Sequence, residues 1–411
     1  MFSLLSIFGV FLLLCTLLLF GAVYVESRKA EYPPGIACSA ELRSLYRILS
    51  FMSVLSRTME TFGICTEIGL YHRLAKFFPM KSEDDPELFT KDLEFEGVPV
   101  RVYQPRDPSA GDRKGVLFFH GGGFVFGNLD QYDKLCGHIS KRAGVVLVSV
   151  GYRLAPEHLY PAAFQDCLTA SIHFLRTALD FGVNPSSVIT CGDSAGGNLA
   201  AAVSQALVTR KDIPRPLAQV MIYPVLQMID FNLPSYQQNR AVPLLLRDRA
   251  LFYLLTYVGR GDLSVSRDVL NGSHVPPDVR KKFSKWLSVD HIPEEVAGYM
   301  RHTGYTPHTM AAFDKNLYEK LKQVLESSCS PLVADDAALR LLPKSYLLTC
   351  EFDVLRDEGI LYKKRLEDNG VSVTWHHIKD GFHGLLSFYD QWACESGIRA
   401  MDSIVGFIKD A

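Results

Sequence analysis

The sequence predicts an α/β fold, a mostly parallel central sheet flanked by helices, and three observations carry that prediction. Short apolar runs bounded by turn residues recur at 115–119, 144–150, 187–191, 218–223 and 345–350. Helical stretches such as 161–180 and 197–209 lie between them, and strand–helix alternation is the pattern that builds a parallel sheet. The runs are continuous rather than alternating, as strands covered by helices on both faces must be.

The chain has 411 residues, 48% of them apolar and 21% charged, which excludes general disorder. Its 43 basic and 45 acidic residues leave no surplus of positive charge for a phosphate backbone, so no nucleic-acid partner is expected.

In chain order, the first element is an uncharged segment from Phe2 to Val25. As a helix of about 36 Å it is long enough for a hydrocarbon core of about 30 Å. It is longer than the apolar stretch of a cleaved signal peptide and lacks the leading charge, so a retained transmembrane anchor over 1–25 is expected. Residues 26–411 then form one domain. Residues 40–80 carry Leu42, Leu45, Ile48, Leu49 and Met52 at helical intervals, and from about 95 Val98, Val100 and Val102 alternate as in a strand. The stretch 231–330 breaks the strand–helix rhythm and reads as a helical insertion, with a basic cluster at Arg280, Lys281 and Lys282. It is either a cap over a binding site or an excursion with a solvated basic face. The chain closes on a helix with Ile398, Met401, Ile404, Val405 and Ile408 on one face.

Flanking charge says little about orientation, because Arg28 and Lys29 are offset by Glu26 and Glu31. Asn271-Gly272-Ser273 is a glycosylation sequon, which favours an extracytoplasmic catalytic domain if it is used. The nine cysteines show no CxxC spacing, so no metal site is expected and most should be buried free thiols, with room for one or two disulfides.

Chemistry enters at Gly192-Asp193-Ser194-Ala195-Gly196, a G-x-S-x-G set directly after one apolar run and directly before a helix-prone stretch. In a strand–turn–helix elbow the serine takes a strained conformation and the residues two before and two after must be small. Ser194 is the candidate nucleophile. His120-Gly121-Gly122-Gly123 follows another strand, and its amides can approach a developing oxyanion. Gly121, Gly122, Gly123 and Ala195 are the candidate oxyanion donors, each worth about 2.7–4 kcal/mol to a tetrahedral intermediate, with His120 holding the loop rather than acting as a base. A serine needs a histidine base and a carboxylate, and in strand–turn–helix hydrolases both follow it in the chain. His383, in Gly381-Phe382-His383-Gly384 after the run 371–378, is the expected base, ahead of His376 and His377 within the run. Asp353, just past the strand 345–350, is the expected carboxylate, ahead of Asp357.

On these motifs, together with Tyr152-Arg-Leu-Ala-Pro-Glu157, Asp353-Val-Leu-Arg-Asp357 and the apolar N-terminus, the sequence resembles the hormone-sensitive-lipase branch of the α/β-hydrolases, and within it the microsomal arylacetamide deacetylase-like proteins. The resemblance covers nearly the whole chain. It implies an α/β-hydrolase fold with a triad of Ser194, Asp353 and His383 and no cofactor. It also implies cap elements near 26–95 and 231–330, and a lumenal endoplasmic-reticulum domain on a single-pass type II anchor. The expected activity is hydrolysis of apolar carboxylic esters, with arylacetamides and lipid esters as candidate substrates. A non-catalytic receptor on the same fold and a secreted lipase are the alternatives. Where relatives carry a tryptophan–cysteine pair after the glycines this chain has Phe124 and Val125, so no disulfide from that loop to Cys350 is expected.

Overall fold

A computed structural model describes residues 4–77, 85–106, 113–259, 261, 263–293, 296, 311–390 and 394–411. Three helices lead in: α1 (Leu4–Ser27), α2 (Ser39–Thr61) and α3 (Glu67–Phe77). Strands β1 (Leu88–Phe95), β2 (Val98–Pro105), β3 (Arg113–Phe119), β4 (Val146–Val150), β5 (Val183–Asp193), β6 (Ala218–Ile222), β7 (Lys344–Phe352) and β8 (Val373–Phe382) form one sheet. Their order is β1-β2-β4-β3-β5-β6-β7-β8. The pairs β1–β2 and β2–β4 are antiparallel, and the five from β4 to β8 are parallel.

Both faces of the sheet are buried, which is why its strands are continuously apolar. Along β3, Leu117 and Phe119 enter one core with Phe174 of α5 (Ala162–Thr177) and Leu199 of α6 (Ala195–Val208). Val116 and Phe118 enter the other with Leu135 of α4 (Asp133–Ala143) and Met401, Ile404 and Ile408 of the C-terminal helix Glu395–Asp410. Each fully buried Phe removes apolar surface worth about 1.5–3 kcal/mol from water. Ile398, expected on the buried stripe of that last helix, is instead exposed, because Ser396, Gly397 and Ala400 hold the buried face over its first two turns.

The stretch 26–95 is not helical to its end. It finishes in β1, whose burial is confined to Leu88 and Phe95, with Leu93 half-buried, so an edge strand leaves little alternation to read. Within 231–330 the described residues form α7 (Pro234–Gln238), α8 (Arg247–Tyr257), α9 (Ser266–Leu270), α10 (Pro277–Ser284) and, further on, the helix Lys315–Leu321. Residues 297–310 of that insertion lie outside the described residues. The basic cluster is not wholly solvated, since Arg280 donates to the carbonyls of Gly272 and Val275.

Among the described residues one apolar helical stretch, Phe8–Ser27, is long enough at 20 residues to cross a membrane, and it is not buried by the rest of the protein. Cys38 and Cys394 form a disulfide joining the start of α2 to the start of the C-terminal helix. Cys136, Cys167, Cys191, Cys329 and Cys350 are buried free thiols, as their scattered spacing predicts.

Candidate active site

The elbow after β5 is built on contacts too close for any side chain. A Cβ on Gly196 would lie 1.9 Å from the Phe119 carbonyl oxygen, and one on Gly192 would lie 2.2 Å from the carbonyl oxygen of Gly196. Only glycine permits that turn, and the turn drives Ser194 to φ 56° and ψ −118°, a strained conformation for a side-chain-bearing residue. The Ser194 amide donates to the Ile222 carbonyl at 2.8 Å, tying the elbow to β6.

Strand ends bring the other two residues in. Asp353 follows β7 and His383 follows β8 directly. Ser194 Oγ lies 2.8 Å from His383 Nε2, and His383 Nδ1 lies 2.8 Å from Asp353 Oδ2. A carboxylate only accepts, so Nδ1 carries the ring proton and Nε2 is left to accept from the serine hydroxyl. Asp353 is buried, and its second oxygen accepts the Leu355 amide at 2.9 Å. Asn239, from the insertion, fixes this turn by donating to the carbonyls of Glu351 and Asp353.

The rival residues are engaged elsewhere. Asp357 accepts from the Ser235 amide and from Arg356. His377 sits against Glu351 and Thr349, and His376 against Ser403, all within or beside β8.

The loop after β3 corrects one expectation. Gly121 is not available as an oxyanion donor, because its amide already donates to Asp193 Oδ1 at 2.8 Å and to Tyr132 Oη at 3.0 Å. The amides of Gly122, Gly123 and Ala195 have no acceptor among the described residues. Ala195 also opens α6, where unpaired amides and the helix dipole favour negative charge. His120 is buried, and its Nδ1 lies 2.8 Å from the Gly121 carbonyl, to which it donates. Burial pushes its pKa down to about 4, so it is a neutral brace. Tyr152 stacks on it and donates to its carbonyl at 2.6 Å. Phe124, one of the two residues replacing the tryptophan–cysteine pair, lies flat on Tyr257 of α8 with ring centroids 3.8 Å apart. Cys350 is a free thiol, as that replacement implied.

Sequence reasoning missed Asp193. Its carboxylate is buried, and burial raises its pKa to about 6 against the lowering effect of the Tyr132 hydroxyl and the Gly121 amide. The available signal was a charged residue placed at the end of an otherwise apolar strand. No grouping of side chains able to hold a metal occurs among the described residues.

The chain belongs to the α/β-hydrolases: the family model described as alpha/beta hydrolase fold matches residues 116–278 and 287–387. Within them it groups with the arylacetamide deacetylase-like proteins, being 43% identical over 390 residues to "Arylacetamide deacetylase-like 4" of Homo sapiens, across 94% of each chain. It is 34% identical to "Neutral cholesterol ester hydrolase 1" of Rattus norvegicus over 87% of this chain and 90% of that one. Among solved structures, an esterase from Pyrobaculum calidifontis superposes with a TM-score of 0.59 at 26% identity, covering 84% of this chain and 89% of the other. These relatives support a hydrolase of the carboxylesterase type.

Proposed function

We propose that this protein is a membrane-anchored serine hydrolase that cleaves apolar carboxylic esters through an acyl-enzyme. The observation that carries the reading is the hydrogen-bonded chain Ser194–His383–Asp353, set beside amides that have no acceptor among the described residues. His383 Nε2 takes the hydroxyl proton as Ser194 Oγ attacks the ester carbonyl carbon. Gly122, Gly123 and Ala195 hold the resulting oxyanion, each donor contributing about 2.7–4 kcal/mol. Collapse of the intermediate expels the alcohol, which receives the proton from His383, and water repeats the sequence on the acyl group. Asp353 keeps the imidazole in the reactive tautomer and stabilises its cation.

The helix Phe8–Ser27 is the membrane anchor in this reading, and α2, α3 and the helices of 231–330 form the cap. A lumenal endoplasmic-reticulum domain on a type II anchor is supported by the Cys38–Cys394 disulfide, a bond of oxidising compartments, and by the sequon at Asn271, which is half-buried at the end of α9. Arylacetamides and lipid esters are the candidate substrates.

Ser194→Ala is expected to abolish hydrolysis of a short p-nitrophenyl ester, and labelling by a fluorophosphonate, while the circular dichroism spectrum is retained. Undiminished turnover in a folded variant would sink the reading. An unmodified protein that resists the label at Ser194 would point to the receptor alternative. Endoglycosidase sensitivity and protease protection in microsomes test the orientation.

A further inference from the structure

Two cavities meet between the lead-in helices and α8. The inner one, about 190 Å³, is lined by Tyr46, Ser50, Tyr71, Phe126, Leu244 and Tyr253 among others. Phe126 in its lining belongs to the glycine loop after β3, three residues past Gly123, and two further lining side chains pack near the loops that carry the chemistry. The Tyr253 side chain comes within 2.9 Å of where a Cβ on Gly123 would be, and Leu244 Cδ1 comes within 3.4 Å of the same point on Gly384, the neighbour of His383. The outer cavity, about 730 Å³, is bounded by Glu26 and Lys29 at the end of the apolar helix, and by Arg57, Ile68, Pro156 and Phe252.

Four residues, Glu26, Glu67, Leu246 and Arg249, line both cavities and therefore stand between them. Two of these are bonded across the gap. Arg249 Nη1 meets Glu67 Oε1 at 2.7 Å, and Arg249 Nη2 donates to Ser53 Oγ at 2.6 Å. Both side chains are mostly buried, Glu67 at 11% and Arg249 at 20% exposure. A charge pair held this far from water by three helices is a fixed partition rather than a passing surface contact.

We propose that the Glu67–Arg249 pair is the end wall of the substrate cavity and a determinant of chain-length specificity. The proposal rests on the hydrolase reading above. The inner cavity, at about 190 Å³, is much smaller than the outer one at about 730 Å³. A short acyl or alkyl chain fits, and a longer one meets two charges it can displace only by stripping them of each other. Removing the wall joins the inner cavity to the larger one beside the apolar helix.

The test uses the full-length protein in detergent with p-nitrophenyl acetate, butyrate and laurate. Wild type is expected to prefer the short esters. Glu67→Ala combined with Arg249→Ala removes both charges together and leaves neither unpaired. The ratio of kcat/KM for laurate over acetate is expected to rise about tenfold or more. A ratio that does not move in this folded double variant overturns the wall. Where that variant does not fold, inactivation of wild type by alkyl fluorophosphonates decides. Slower inactivation by a dodecyl than by a butyl probe supports the wall, and an equal or faster rate overturns it. If wild type neither turns over acetate nor takes the label at Ser194, the hydrolase reading itself fails and this proposal falls with it.

Discussion

Asp193 and Gly121, 72 positions apart, are joined by a hydrogen bond of 2.8 Å from the Gly121 amide to the Asp193 carboxylate. The residue beside the nucleophile thus holds the loop that faces it. Tyr132 closes the arrangement, bonding to both partners at 3.0 Å. The amide of Gly121 serves this tether, and the amides beyond it are left for the substrate.

That tether gives a pH dependence whose sign follows from the raised pKa. Burial lifts Asp193 from 3.8 to about 6, so the folded state binds this proton more tightly than the unfolded chain does. Its contribution to stability is full below about pH 4 and is lost as pH rises through about 6, a change of about 3 kcal/mol at most. Asp193→Asn removes the titration. The melting temperature of that variant relative to wild type is expected to climb between pH 4 and pH 7, and a flat difference would contradict the assignment.

Asp353→Asn keeps the shape of the third residue but reverses what it asks of His383 Nδ1. The imidazole is then held in the wrong tautomer, with Nε2 protonated and unable to accept from Ser194. A fall in kcat of about 10⁴ is expected on a p-nitrophenyl ester, with unchanged circular dichroism.

Gly196→Ala places a methyl group 1.9 Å from the Phe119 carbonyl oxygen. Backbone cannot yield as a flexible side chain would, so the elbow must open. Destabilisation by about 4 kcal/mol or more and loss of fluorophosphonate labelling at Ser194 are expected in urea melts and gel assays. Ordinary stability with full labelling would contradict the close packing.

Cys38→Ser removes the one disulfide found among the described residues, which spans 356 positions. A loss of about 2–4 kcal/mol is expected, read as a lower melting temperature, and dithiothreitol should lower wild type to the same value. Retained stability in both would show the bond to be dispensable.

The motif residues were legible because local geometry dictates them. Gly192 and Gly196 are the only residue type the elbow tolerates, and Asp353 and His383 stand just past strands whose apolar runs announce them. What stayed hidden depends on partners distant in the chain. Spacing pointed to Gly121 as a free donor, since nothing local shows that Asp193 and Tyr132 already hold its amide. The disulfide was hidden for the same reason, as was the pairing of Glu67 with Arg249. Strand β1 escaped notice for a different one: at the sheet edge the side chains from Phe89 to Asp92 face solvent, and no alternation remains to be read.

The Cys38–Cys394 bond also decides what a protease can release. A cut at any exposed loop between the two half-cystines yields two pieces that stay linked until the bond is reduced. After a cut anywhere before His383, the C-terminal piece carrying that residue would therefore travel with the apolar helix, and a nicked molecule would still run as one chain on a non-reducing gel.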